Sequence, residues 1–309
     1  METLKFYVRS LVEHASFVKV EYYILLLWLI FFPLYAEDVS QTLKQIPDED
    51  LKDIRDLFNE LIYKNHFAYT LFGGKAVSLS SCNVLKPSQF KIPKTLKNNP
   101  IQIADNTLGI KWEKWKRYQS LFAIKKYLII DEASWFSPYV RHIMLINKEL
   151  FIKVFNENRV IFQRELGCQV TGESLLAQVE KQGQLISVIK HNELLFGILL
   201  GYGKYNATLY DKREHLQLLY DQYKYILVKN CPFIKELDNQ ADEITEVLAS
   251  CGEYCYNLLT IPSIHFVADH KSEETLALKQ KYQTLREKLC IIYAKDDVLK
   301  ITFSTLIKD

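Results

Sequence analysis

Apolar residues recur at helical spacing along most of this chain, and only a few short runs depart from that rhythm. Leu51, Ile54, Leu57, Phe58, Leu61 and Ile62 form one face of a helix that Asp48 can open and that reaches about Lys64. The next runs have strand character. FAYTLF (67–72) and KAVSLS (75–80) flank Gly73-Gly74, which predicts a β-hairpin with both glycines at positive φ. Residues 83–107 are polar, carry Pro87, Pro93 and Pro100, and read as a long loop. Trp112, Trp115, Gln119 and Phe122 then share a helical face, with Lys111, Lys114, Lys116 and Arg117 around them. An amphipathic helix that buries its tryptophans and wets its lysines explains this pattern. A face for anionic lipid or single-stranded nucleic acid would need a longer basic run than one interrupted by Glu113. Residues 127–130 and 142–146 predict two further strands joined across a turn at 134–138. With the hairpin they make a small antiparallel sheet of about four strands.

From Lys148 onward the pattern is nearly all helix. Helices are expected at 149–165, from Thr171 to near Gly183, at 184–200, at 209–229 and at 233–259. A strand is possible at 263–268, Ser272 opens a helix to about Cys290, and a last helix starts near Asp296. The fold class is therefore α+β, predominantly helical, with a small antiparallel sheet in the N-terminal half. Residues 37–147 form the helix-plus-sheet region and 148–309 the helical region, packed together as one domain.

The stretch HNELLFGILLGYGKYN (191–206) organises the helical part. Residues 194–200 are apolar all round except for Gly197, so this segment belongs among other helices. Gly197 lets a neighbour approach, and Gly201 or Gly203 supplies the left-handed residue that ends the helix. Asn206 and Thr208 can then cap the next one. A phosphate-cradling loop would instead follow a strand, open a helix and carry a third glycine where this chain has Asn206.

Composition changes the picture little. Of 309 residues, 49% are hydrophobic and 25% charged, which suits a globular chain. A net charge of +2 gives no footprint for bulk nucleic-acid binding. The N-terminus says more. Lys5, Arg9 and Lys19 precede an apolar run at 22–32, Pro33 breaks it, and Ala36 offers a small residue before Glu37. Residues 1–36 are expected to be a secretory signal peptide, since the run is shorter than the ~20 residues that span a bilayer comfortably. The expected location is the periplasm or the exterior. Left uncleaved, residues 20–36 would anchor the protein in the inner membrane, its only membrane contact. Export permits disulfides among the six cysteines, although a domain of this size does not need them.

Candidate chemistry is sparse. Cys251, Cys255, His265 and His270 approach zinc-site spacing. Yet Leu237, Ala241, Ile244, Leu248, Cys251, Cys255 and Leu258 alternate by four and three, which puts both cysteines on one apolar helical stripe as small hydrophobes. No metal or other cofactor is expected. Asp269-His270 would serve as half of a hydrolytic dyad if a nucleophile came from elsewhere, but no nucleophile elbow or zinc-protease helix motif accompanies it. Tyr202, Asn206, Asp269 and His270 are the candidate ligand contacts. A polar cleft lined by all four would favour an enzyme.

Four stretches, FAYTLFGGKAVSL (67–79), Asn147-Lys148, GILLGYGKYN (197–206) and SEETLALKQKY (272–282), resemble recurring segments of an uncharacterised exported protein family of chlamydia-like obligate intracellular bacteria. The resemblance covers most of residues 50–290, and the family often has proline where this chain has Ala76. It implies a bacterial envelope setting and no mechanism. The expected function is contact with a protein partner of the envelope or host. A hydrolase built around Asp269 and His270, or a membrane-anchored module, are the alternatives.

Overall fold

The structure, a computed structural model, describes residues 39–83, 107–134, 137, 140–223, 232–251, 261–264 and 266–308. The expected signal peptide, most of the expected loop (84–106), Cys255 and His265 lie outside the described residues. The chain opens with α1 (Asp48–Tyr63), α2 (Phe67–Leu71), β1 (Val77–Asn83), α3 (Thr107–Tyr118), β2 (Tyr127–Ala133) and β3 (Val140–Asn147). Helices α4 (Lys148–Glu157), α5 (Arg159–Leu166), α6 (Gly172–Gln182), α7 (Glu193–Leu199), α8 (Lys204–Tyr223) and α9 (Pro232–Val247) follow. The chain then makes β4 (Leu248–Cys251), β5 (Phe266–Asp269), α10 (Glu273–Tyr293) and α11 (Val298–Leu306). The fold is α+β and mostly helical.

The sheet has three antiparallel strands in the order β1–β3–β2, with Val77 opposite Ile146 and Tyr127 opposite Asn147. Strand β3 reads HIMLI without alternation because helices cover both faces. Ile143 and Leu145 enter one core, with α1, α2, α3, α10 and α11. Met144 and Ile146 enter the other, with α4 to α7. The C-terminal helices thus return to the N-terminal half. The tryptophans of α3 are buried, and Trp115 stacks on Phe303 of α11 with centroids 5.2 Å apart. Of the lysines around them, Lys114 faces the acidic start of α1, its Nζ 2.9 Å from Asp50 and 2.6 Å from Asp53, while Lys116 pairs with Glu113 and Asp131. Among the described residues no helix is long and apolar enough to cross a membrane.

Several expected elements are corrected. The hairpin at 67–80 does not form. Residues 67–71 are all buried and wind into the short helix α2, while β1 finds its partner in β3. Only Gly73 takes positive φ, at 79°. Gly74 is needed for room instead: a Cβ there would overlap Leu285 Cδ2 and sit 3.1 Å from the Tyr69 carbonyl oxygen. Gly74→Val should therefore destabilise by ~1–3 kcal/mol through overpacking. An unchanged urea midpoint would show that α2 and α10 can part at this point.

The helix expected at 149–165 is two helices, α4 and α5, broken at Asn158. The one expected at 184–200 is a turn followed by the shorter α7. The helix expected at 233–259 stops at Val247, because residues 248–251 pair with β5, Cys251 lying opposite Phe266. Cys251 is thus on a strand, and the helical stripe proposed for Cys251 and Cys255 does not continue through it.

Candidate functional site

The apolar stretch 194–200 becomes α7, with Asn192 as its cap: the Asn192 side chain accepts from Leu195 N–H at 2.9 Å. Leu194, Leu195, Ile198, Leu199 and Leu200 are buried, and α4 and α8 pack against the helix. Gly201 and Gly203 follow at φ 78° and 90°. Both also face α10 too closely for a side chain. A Cβ on Gly201 would overlap the Tyr282 hydroxyl, which donates to the Gly201 carbonyl at 2.6 Å. A Cβ on Gly203 would overlap the Glu274 carboxylate, which accepts from Tyr205 N–H at 3.0 Å and Asn206 N–H at 3.3 Å. A carboxylate from α10 thus closes the positive end of α8.

Asn206 is therefore not the cap of α8. It is 1% exposed, and its amide donates to the Tyr202 carbonyl at 3.0 Å and to Thr275 Oγ1 at 2.9 Å. Its oxygen accepts from Asp269 N–H at 3.1 Å. The side chain rivets α8 to β5 and α10. Asn206→Asp should destabilise by ~2–3 kcal/mol, because an oxygen would replace the donor facing Tyr202. A cap would tolerate aspartate, so an unfolding midpoint equal to that of the parent would restore the capping role.

Above this rivet lies a pocket of about 330 Å³ between α7, α8 and β5. Phe196, Tyr202, Tyr210 and Phe266 give it an aromatic wall, and Glu193 stands among its lining residues. Gly197 lines it too, where a Cβ would lie 3.0 Å from Ala207 Cβ, so the missing side chain lets α7 approach α8. Tyr202 stacks on Phe266, with centroids 5.3 Å apart and planes 6° apart. Lys75 Nζ lies 5.4 Å from the Tyr202 ring centroid. Lys75 is 3% exposed, and its ammonium makes no hydrogen bond or ion pair among the described residues. Burial pulls its ammonium down to about 7 and pushes the Tyr202 hydroxyl up to about 12. Burial also raises the Glu193 carboxyl, helped by the charges of Glu214 and Asp211. The stretches 67–79, 197–206 and 272–282 thus meet here: Lys75 on Tyr202, Tyr282 on Gly201, and Tyr69 edge-on to Tyr282 at 5.9 Å.

Of the residues expected to contact a ligand, Tyr202 and Asn206 line the pocket, and Asp269 touches Asn206 through its backbone. The Asp269 carboxylate turns to the start of α10, accepting from Lys271 N–H at 2.9 Å and from the Tyr205 hydroxyl at 3.5 Å. His270 is exposed on the adjoining turn and makes no hydrogen bond among the described residues. The four residues do not share a polar cleft. Among the described residues no group of three or more His, Cys, Asp or Glu side chains is placed to hold a metal. Cys82, Cys168 and Cys290 are free thiols.

Sequence reasoning missed Glu132, which is 3% exposed on β2. Its carboxylate accepts from the N–H groups of Leu185, Ile186 and Ser187 at 2.9, 2.8 and 2.9 Å, and from the Ser187 hydroxyl at 2.5 Å. His142 lies opposite Glu132 in the β2–β3 pairing, and Ser81 Oγ is 2.9 Å from His142 Nδ1. Ser81, His142 and Glu132 follow the order of a hydrolytic triad. The four donors on Glu132 instead make it the anchor of the 185–187 turn. Nothing in the local sequence distinguishes this glutamate from a solvated one. Compared with known proteins, the chain matches no family model, no curated protein and no solved structure.

Proposed function

We propose that the protein acts by non-covalent binding, and that the pocket between α7, α8 and β5 receives an apolar group of its ligand. The observation that carries this reading is the wall of four aromatic rings beside an Asn206 amide already committed to Tyr202, Thr275 and Asp269. Such a wall favours apolar burial over polar turnover, and the volume lies within the range of small-ligand sites. Contact with an envelope or host protein fits the same reading, with one large side chain as the group received. Export and an envelope setting come from residues 1–36 and the family resemblance, and are part of the proposal. The hydrolase reading draws less support, since Asp269 serves the start of α10 and not His270.

Val267, half-buried on β5, lines the pocket and is the place to block it. Small aromatic fragments should bind the parent protein saturably by ligand-observed NMR. Binding to Val267→Trp should be weaker by about tenfold or more, with the melting temperature little changed. Fragments that bind neither protein, or both equally, would defeat the reading.

A further inference from the structure

We propose that the pocket's ligand is a small organic cation, an amine or quaternary ammonium on an apolar body, with Glu193 as its counter-ion. This rests on the reading above that the pocket is a binding site. Three observations point the same way. The faces of aromatic rings carry negative potential and attract cations, and four rings line this pocket. The protein already seats a cation of its own on one of them: the Arg213 guanidinium lies 4.7 Å from the Tyr210 centroid, while Lys75 Nζ, which gives up its proton near neutrality, lies 5.4 Å from that of Tyr202.

The charge near Glu193 is the third observation. Arg213 pairs with Glu214 at 2.7 Å, and Asp211 receives the N–H of Leu194 at the start of α7. Glu193, the carboxylate lining the pocket, makes no hydrogen bond or ion pair among the described residues. Burial, then the charges of Glu214 and Asp211, raise its carboxyl against the opposing pull of His191. A ligand ammonium would supply a cation inside the pocket while its apolar body covers the rings. An anion would meet the carboxylate of Glu193, the charged side chain among the lining residues. A neutral ligand would gain from apolar burial alone.

Three probes of one shape separate these cases: phenylbutylamine, phenylbutanol and phenylbutyrate, titrated calorimetrically into the full chain at neutral pH. The amine should bind tighter than the alcohol by about tenfold or more, and phenylbutyrate weaker than both. Glu193→Gln, a sterically mild change, should bring the amine to the alcohol's affinity while leaving the alcohol unchanged. Equal affinity of amine and alcohol for the parent protein would overturn the proposal and leave the pocket standing as an apolar site. A preference that survives Glu193→Gln would overturn Glu193 as counter-ion. No saturable binding of any probe, or equal binding to Val267→Trp, would remove the pocket itself as a binding site.

Discussion

Replacing Glu132 with alanine should lower the free energy of unfolding by about 3–5 kcal/mol, one of the largest losses available to a single substitution in this chain. The carboxylate gathers three consecutive backbone N–H groups and the Ser187 hydroxyl from a segment that is not regular helix. Leu185 and Ile189, both fully buried, depend on that segment keeping its course. Without the carboxylate, the N–H groups of Leu185 and Ile186 would be left buried and unpaired. Glu132→Gln should also destabilise, since one carboxylate oxygen becomes an NH2 facing donors. Urea unfolding measures both. The partly exposed pair Lys148–Glu180, 2.7 Å apart, is the control: Glu180→Ala should cost less than ~1 kcal/mol. A loss of that small size for Glu132→Ala would show that the turn holds without its anchor.

Lys75→Met should act in the opposite direction and stabilise the protein at neutral pH, by about 2–4 kcal/mol. Lys75 is buried against Tyr202 without a carboxylate partner among the described residues, and burial pulls its ammonium from 10.5 to about 7. The unfolded chain holds that proton up to the ordinary lysine range, whereas the folded chain releases it near neutrality. Between these limits the unfolded state binds more protons, so stability rises with pH from about 7 toward 10.5. The full swing is at most about 4–5 kcal/mol. In Lys75→Met this rise should vanish, leaving the slope of the remaining groups. Parallel stability–pH curves for the two proteins would mean that Lys75 stays charged in the fold.

Much of the framework was legible because its signals are local. Strands β2 and β3 announce themselves as short apolar runs. Helix α6 is bracketed by Thr171, whose side chain accepts from Ser174 N–H at 3.1 Å, and by Gly183 in the left-handed region. Ser272 does the same for α10, accepting from Thr275 N–H at 3.2 Å. What was not legible depends on partners far along the chain. FAYTL is buried on every side, and a short buried helix and a buried strand share one apolar pattern. Gly74 is small on account of Leu285, which no turn rule could supply. The turn at 185–187 is shaped by Glu132. Asn206 looked like a cap because caps are recognised from adjacent residues, while Thr275 and Asp269 come from beyond α9.

The packing of α1 against α11 has a consequence for the order of folding. Arg55 of α1 pairs with Asp297 at the start of α11, and Phe58 meets Phe303 edge-on at 4.9 Å. On the ribosome, α1 emerges long before the helix that completes its core. The second core, around α4 to α7, draws on residues 76–207 and can close earlier. The front of the molecule should therefore remain open during synthesis, closing only when α11 appears, through contacts of long sequence separation that form slowly. In that interval its apolar helices would stay open to non-native association, the situation a holding chaperone relieves.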